Sequence, residues 1–511
     1  MNKQWKELSH NGPAFPDSYE SKGVTIKVND KEITLNNLAE EMVYSWAKKK
    51  DTDYVNDPVF RANFLKSLRS NLPKEIKSIS IEQIDFTQAY NVIEQERSYK
   101  ESLSKEEKKR ITAERKVNRE NLKERYGYAK VDGNECEIAN WMIEPPGLFM
   151  GRGEHPLRGT WKPVIKEKDV TLNLGKNEKA PKGEWGKVVH DDSAIWFASW
   201  RDYISKKIKY VYPSESSGIK QERDKIKYDE ALKLEKRIKI IRNKINKMLT
   251  SKNTQERKIA TVCYLLDELS MRVGDEKDED EADTVGAITL RIEHVKIKDN
   301  KIEFDFLGKD SVRWNKTIKD VNKSVLNNFK EFTKDKESKE EIFDNVTSNK
   351  VNRFLDKVSP GLTTKVFRTY HATNLMKNKL NKIKEEIVNG PEYSKIHHFK
   401  MANLEVAIRC NHKRSPPKSW KESIKKKEER LTKMIEAPPK KTEKSQQRHL
   451  ERIEKNRKQI QLAKATKEYS VNTSLKNYID PRVVKKWAKK SKIDWKILYS
   501  KSLQKKFGWT R

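Results

Sequence analysis

Apolar positions recur along this chain with two periods, and the switches between them outline its elements. Near the start, Val24–Leu35 alternates apolar and polar residues about Asn29-Asp30, which predicts a short strand pair. Leu38–Lys48 and Pro58–Leu68 carry apolar residues at helical spacing. Ser104–Glu124 is dominated by charge and predicts a solvated helix, or one resting on a polyanion. From Thr160 to Tyr212 the pattern turns β-rich. Its strand candidates are Val170–Leu174, Trp185–Val189, Ala194–Trp200 and Ile208–Val211, punctuated by His190-Asp191-Asp192 and Pro213.

Helical spacing then returns. Lys220–Lys252 places Leu234, Ile238, Ile241 and Ile245 on one face, and Thr254–Met271 is a second helix expected to end at Val273-Gly274. That ending would project Arg272 from a last helical turn. The acidic stretch Asp275–Asp283 lacks the order of a calcium loop and reads as solvated. Ala287–Ile297 and Lys301–Leu307 alternate around Asp299-Asn300 and predict a β-hairpin, with Ile302, Phe304 and Phe306 on one side. The turn Gly308-Lys309-Asp310-Ser311 would hold Lys309 at its tip. Helices are predicted at Lys319–Lys334, Lys365–Lys384 and Ser394–Cys410, with Arg368 in the first turn of the second and His412 just past the third. Ser419–Lys467 is basic, with helical spacing in two halves divided by Pro438-Pro439, as in a protruding antiparallel hairpin. In the last segment, Tyr478 stands between Asn477 and Asp480-Pro481, a helix-start pair of N-cap and first-position proline.

Composition narrows what such a chain can serve. At 511 residues it can hold two to four domains, and a formal net charge of +34 favours a polyanionic partner through phosphate neutralisation. Its tryptophans and aliphatic residues argue against wholesale disorder. Cys136, Cys263 and Cys410 show neither disulfide nor metal spacing and suit a reducing compartment. No apolar run reaches membrane-spanning length and the first residues show no signal-peptide core, so an intracellular protein without a membrane partner is expected.

A lone tyrosine beside a helix start is usually a core residue with its hydroxyl at the surface. Tyr370 and Tyr210 compete with Tyr478 on composition alone, and His397-His398 has no partner at metal-ligand spacing. The glycine-flanked Arg152 in Gly151-Arg-Gly-Glu-His-Pro156 could approach a ligand closely, although a glycine-rich loop is a weak phosphate signal. A tyrosine with two arginines, a lysine and a histidine is nevertheless a good set for phosphoryl transfer. Arginines neutralise the charge that develops on a phosphodiester under attack, a histidine can donate to a non-bridging oxygen, and a lysine can protonate the leaving alkoxide. A phosphotyrosine would conserve the bond energy, so resealing would need no ATP. Spacing alone cannot assemble these residues.

Longer motifs do. Glu144-Pro-Pro-Gly-Leu-Phe149, Gly151-Arg-Gly-Glu-His-Pro156, Ala282-Asp-Thr-Val-Gly286, Phe304-Asp-Phe-Leu-Gly-Lys-Asp-Ser311, Lys365-Val-Phe-Arg-Thr-Tyr370, Asn411-His412 with Pro416-Pro417-Lys418, and Asn477-Tyr-Ile-Asp-Pro-Arg482 closely resemble the eukaryotic type IB DNA topoisomerases. The resemblance runs from about Trp5 to Trp509. It implies a multidomain α+β fold, a two-lobed DNA clamp. Its parts would be a mixed α/β upper lobe (1–215, two subdomains), a mainly helical catalytic core with a small β-sheet (216–415), a helical-hairpin linker (416–470) and a small helical C-terminal domain (471–511). By the same matches Tyr478 would be the nucleophile that becomes linked to a 3′ phosphate. Arg272, Arg368 and His412 would bind the scissile phosphate, and Lys309 would be the general acid for the 5′ oxygen. Arg152, Trp196, Lys209, Tyr210, Lys227, Lys277, Thr284 and Lys365 look like DNA-contacting positions, and Arg152, Asp310 and Asn477 match contacts of camptothecin.

The implied activity is relaxation of supercoils by transient single-strand nicking, without ATP, metal or other cofactor, by a monomer on duplex DNA. The alternative is a tyrosine recombinase, which shares this chemistry but joins strands from different duplexes. The Glu144–Pro156 motifs and the long linker before Tyr478 favour the first. Met150, His371 and Asp275 depart from common family residues, and the long charged amino-terminal extension of nuclear members has no counterpart. The expected place of work is the nucleus, or the virion or viral replication site for a virus-encoded form.

Overall fold

The computed structural model describes residues 3–76, 78–274, 284–438 and 441–510, apart from the side chains of Glu75 and Asp310. Two compact units result, one running to Lys220 and the other from Gln221 onward.

The first unit mixes helices with small sheets. Strand β1 (Leu8–His10) precedes the predicted hairpin, which forms as β2 (Ile26–Val28) and β3 (Lys31–Ile33), with Asn29 and Asp30 both at positive φ. Helix α1 (Asn37–Ala47) starts where Asn36 accepts the Ala39 amide, and α2 (Pro58–Arg69) where Asp57 caps a first-turn proline. Both bury their apolar faces on one core, in which Trp46 stacks on Phe64 at 4.4 Å. After the short β4 (Ile84–Asp85), α3 (Thr87–Ser102) leads into α4 (Lys105–Tyr126). As its charge predicts, α4 has no buried residue and stands on a Ser104–Glu107 capping box.

Strands β5 (Tyr128–Val131) and β6 (Asn134–Glu137) extend β1 into one sheet, and β7 (Gly147–Leu148) pairs with β8 (Trp161–Lys162). The β-rich region forms a mixed sheet ordered β10-β9-β11-β12, from β9 (Val170–Asn173), β10 (Lys187–Val189), β11 (Ala198–Arg201) and β12 (Ile208–Val211). Trp5, Leu172, Phe197 and Trp200 lie in a second core beneath it.

The second unit is mainly helical. Helix α5 (Gly218–Met248) buries Leu234, Ile238, Ile241 and Ile245 against α6 (Thr254–Leu269), the face its spacing predicts. Strands β13 (Val295–Lys298), β14 (Lys301–Gly308) and β15 (Val312–Lys319) make one antiparallel sheet. The predicted first strand is shorter than its pattern. Ala287, Ile288 and Leu290 are buried but bond to loop backbone, with the amides of Ala287 and Ile288 donating to Arg272 and Val273. Alternation marks burial here, not pairing in a sheet.

Helices α7 (Lys323–Thr333), α8 (Ser348–Val358) and α9 (Thr364–Asn381) follow, then the short α10 (Glu385–Val388) and α11 (Glu392–Arg409). The sequence reading missed α8. Its polar face and two buried apolar residues, Val351 and Leu355, left too thin a stripe to stand out.

The basic segment forms α12 (Trp420–Ile435) and α13 (Glu443–Ala465). They run antiparallel, since Lys464 meets Glu428, His449 meets the Met434 carbonyl and Lys467 lies over Trp420. Helices α14 (Val471–Asn477), α15 (Pro481–Lys490) and α16 (Lys501–Lys506) close the chain around Ile479, Val484, Trp487 and Phe507. Among the described residues no helix is long and apolar enough to cross a membrane.

Candidate active site

Four segments of the second unit deliver Arg272, Lys309, Arg368 and His412 to one cleft, and each is set by backbone chemistry. Helix α6 ends earlier than its apolar pattern predicts. Ser270, not Gly274, is the left-handed C-cap (φ 52°), so Arg272 stands two residues beyond it, in non-helical chain rather than in a last turn. The Ala287 amide pins the Arg272 carbonyl at 2.9 Å. Gly274 and Gly286 pass so closely that a Cβ on Gly286 would lie 2.4 Å from Gly274, which excludes any side chain there. One residue earlier, the Val285 amide donates to Leu307 at 2.7 Å, at the end of β14. The Arg272 loop and the Lys309 hairpin are thus one backbone network. Lys309 opens the tip between β14 and β15, closed by the Gly308–Val312 pair with Ser311 left-handed (φ 55°). It is exposed there, as its turn predicts.

Arg368 lies one turn into α9 and is only 5% exposed. Its Nη1 donates to the Ser270 carbonyl (2.5 Å) and its Nη2 to that of Cys410 (3.0 Å), so it caps the ends of both α6 and α11. Its Nε is buried with no protein partner. Past α11, Asn411 turns left-handed (φ 54°) and the His412 amide returns to the Ala407 carbonyl at 2.8 Å. The His412 ring is held at Nδ1 by Ser474 Oγ, 2.8 Å away.

Tyr478 caps the end of α14, two residues before the Asp480 N-cap of α15. Thr373 locks this junction, donating to the Tyr478 carbonyl and accepting the Asp480 amide, each at 3.0 Å. The phenol ring stacks on His412 with centroids 5.4 Å apart, and the Arg368 guanidinium carbon lies 4.9 Å from its centre. Arg272, Lys309, Arg368 and His412 line a cleft of about 110 Å³ beside it.

The electrostatics follow from this crowding. Burial alone would push the Tyr478 phenol up, but Arg368 and Arg272 reverse it and hold the phenol below its ordinary value. Burial, then the same two guanidiniums, takes His412 down to about 3, so its imidazole is neutral at physiological pH. Burial and the neighbouring Arg368 also lower Arg272, although its side chain reaches solvent; Tyr478 offsets part of this. A buried guanidinium nitrogen without a partner, on one of the cationic residues that line a cleft, suits an anion. The phenol, eased toward phenolate, packs against Arg368 and His412, two of the residues that line the cleft.

The remaining expected positions scatter. Arg152 is exposed between Gly151 (φ 65°) and Gly153 (φ 58°). Trp196 and Tyr210 meet at 5.7 Å on the surface of the β9–β12 sheet. Lys209 beside them is already paired with Glu144 (2.8 Å) and Asp202 (2.9 Å), so a phosphate would compete with two carboxylates. Lys227 pairs with Asp224 on α5, and Lys365 is exposed at the start of α9. Thr284 is half-buried just before Val285, and Asn477 is the last residue of α14. Lys277, like Asp275 and the Ala282-Asp283 part of its motif, lies outside the described residues, as does the Asp310 side chain. His371 is buried and bonds Asp267 at 2.8 Å, away from the cleft lining. Sequence reasoning missed Ser270, Thr373 and Ser474. Only Ser474 left a signal, one helical turn before Tyr478.

A tyrosine packed against a histidine and an arginine that bonds two helix ends, beside a cleft lined by two further cations, is the arrangement expected of a phosphoryl-transfer site. Comparison with known families agrees. The family described as eukaryotic DNA topoisomerase I matches with its DNA binding fragment over residues 3–213 and its catalytic core over 216–447, and a C-terminal topoisomerase domain matches 450–511. DNA topoisomerase 1 beta of Arabidopsis thaliana is 37% identical over 543 residues, covering 99% of this chain and 58% of the plant protein. DNA topoisomerase 1 of Drosophila melanogaster is 35% identical, covering 99% of this chain and 54% of its own. DNA topoisomerase 1 of Homo sapiens is 35% identical, with 99% and 70% covered. The chain belongs to the eukaryotic, type IB DNA topoisomerase I family, and it spans little more than half the length of the plant and fly relatives. No comparison supports the recombinase alternative.

Proposed function

We propose that this protein relaxes supercoiled duplex DNA by nicking one strand through a 3′-phosphotyrosine and resealing it after the strand has rotated. The observation that carries this reading is the packing of Tyr478 against His412 and Arg368, both of which line one cleft with Arg272 and Lys309. The phenol, held below its ordinary value, gives its proton to water, and its Oη attacks the scissile phosphorus. Arg272, Arg368 and His412 hold the non-bridging oxygens as charge grows on them. Arg368 Nη2 lies 3.5 Å from His412 Nε2 and can only donate to it, so for neutral His412 to donate from Nε2 to the phosphate that contact must give way and Nδ1 must accept, from the Ser474 hydroxyl. The bond from phosphorus to the 5′ oxygen breaks, and Lys309 protonates the leaving oxygen. Religation reverses each step, so the phosphotyrosine conserves the bond and no ATP is consumed. The side-chain cations do the neutralising that a metal performs elsewhere.

On this reading residues 1–215 are the upper lobe of a clamp, 216–415 the catalytic core, 416–470 the linker and 471–511 the tyrosine-bearing domain, in a monomer working in the nucleus or at a viral replication site. Arg152, Trp196, Lys209, Tyr210, Lys227, Lys277, Thr284 and Lys365 contact the duplex, and Arg152, Asp310 and Asn477 would receive camptothecin in the nick. The net charge of +34 makes binding fall with salt. The test is relaxation of positively and negatively supercoiled plasmid in chelator without ATP, with Tyr478→Phe as control. Wild type relaxes both; the variant binds duplex DNA and forms no covalent adduct. A strict need for magnesium or ATP would refute the proposal.

A further inference from the structure

Five carbonyls at the end of α11 have partners, and two of those partners are cations. Val406, Ala407 and Ile408 accept from the amides of Cys410 (3.0 Å), His412 (2.8 Å) and Asn411 (3.1 Å). Cys410 accepts from Arg368 at 3.0 Å, and Arg409 accepts the ammonium of Lys316 at 2.5 Å. The donor for Arg409 therefore comes from β15, the strand that leaves the Lys309 turn.

Lys316 occupies an inward position on that strand. Trp314 and Ile318, two residues to either side, are buried, while Arg313, Asn315, Thr317 and Lys319 face out. Its ammonium lies 5.3 Å from the Trp314 ring centre. The charged and titratable groups that act on it most are Cys410 and Arg409 from the end of α11, Arg368 from α9, and Lys413 just beyond α11. Burial first, then the three neighbouring cations, with Cys410 opposing, brings Lys316 down to about 8. An apolar side chain would fill this position at less cost if stability were all that it served.

The bond it makes closes a ring. The Arg409 side chain donates to Ser270 Oγ (3.1 Å) and the Glu268 carbonyl (3.1 Å) at the end of α6. Ser270 and Cys410 are the two residues whose carbonyls hold Arg368. Asn411 and His412 follow directly. On the other side, β14 and β15 pair without interruption from Gly308–Val312 to Lys301–Lys319, so a tether at Lys316 is felt at the Lys309 tip. We propose that Lys316 is a positioning residue: by capping α11 from the general-acid hairpin, it fixes Arg368 and His412 in register with the phosphate that Lys309 serves. This inference rests on the proposed chemistry.

The experiment measures single-turnover formation of the covalent adduct by wild type, Lys316→Met, Lys316→Gln and Lys316→Arg, with duplex affinity measured in parallel. Each protein is tested on a substrate with the ordinary 5′ bridging oxygen and on one with sulfur there, a leaving group that needs no acid. Misplacement of the anion-binding pair slows cleavage about ten- to a hundredfold. We expect that loss for Met, a smaller one for Gln, which can still donate to Arg409, and recovery in Arg, with duplex affinity unchanged. The sulfur substrate should leave the loss in place, because the fault lies at Arg368 and His412. Cleavage by Met and Gln within about threefold of wild type would overturn the inference, as would full rescue by sulfur, which would make Lys316 a support of Lys309 alone. A fall in duplex affinity equal to the fall in rate would also overturn it, since that is what a merely structural residue does. Wild type that forms no adduct refutes the proposed function and this inference together; wild type that cleaves beside undiminished variants refutes the inference alone.

Discussion

Replacing Arg368 by lysine keeps the charge and removes the fork, and the structure says what that costs. The guanidinium divides its donors: Nη1 goes to Ser270, Nη2 to Cys410 with His412 Nε2 3.5 Å away, and Nε is buried without a protein partner. One ammonium cannot reach two carbonyls on different helix ends and also face a phosphate. A carbonyl left buried and unpaired costs about 1–3 kcal/mol of stability. In a domain of roughly 200 residues each kcal/mol moves the melting point by about 2–4 °C. The chemical step should suffer more, since losing one preorganised donor to the transition state is worth about 3–4 kcal/mol, or ~10²–10³ in rate. The assay is single-turnover cleavage of a duplex whose short product diffuses away, so that adduct accumulates, with a thermal melt beside it. We expect Arg368→Lys to melt a few degrees lower, to bind duplex DNA normally and to cleave at least about a hundredfold more slowly. Cleavage within about threefold of wild type, at either melting point, would show that Arg368 serves as a charge and not as a fork, and the reading of its free Nε would fail.

Further outcomes follow from the same geometry. His412 is held down to about 3 in the folded protein, so below its unfolded value the unfolded chain takes up the proton first. Its contribution is therefore intact above about pH 6.5 and erodes as pH falls from there toward 3. His412→Gln should flatten that part of the acid-melting curve, and since the proposed chemistry needs a neutral donor, it should keep more cleavage than His412→Ala; equal activity in the two would refute the donor role. Lys309→Ala should cleave slowly with the ordinary 5′ oxygen and recover with sulfur in its place; if both substrates are equally slow, the lysine is not the acid. Camptothecin should lengthen the life of the Tyr478–DNA adduct, and Asn477→Ser should blunt the drug while leaving much of the relaxation; an unchanged adduct lifetime in wild type would refute the pocket.

Much of this molecule was written locally. The Asn29-Asp30 turn, the capping box under α4, the inward face of α5, the two halves of the α12–α13 hairpin and the Asp480-Pro481 helix start all formed as their patterns require, because each depends on residues within a few positions. Lys309 at a hairpin tip was legible for the same reason. That Tyr478, Arg272, Arg368 and His412 belong together came from whole motifs shared with a family, never from spacing. What the sequence could not show was how they are held. Ser270 turns left-handed four residues before Gly274, which is left-handed as well, and Arg368 and Arg409 reach Ser270 from other helices. The ends of α6 and α11 are satisfied by side chains up to 141 residues away in the chain, and Thr373 and Ser474 earn their roles only once α9, α11 and α14 meet. A helix leaves its last carbonyls unpaired wherever it stops, and its own sequence does not say which distant cation will answer them. Tertiary packing brings two such ends to one arginine, and that convergence sets Arg368 and His412 against Tyr478, the arrangement on which the proposed phosphate chemistry rests.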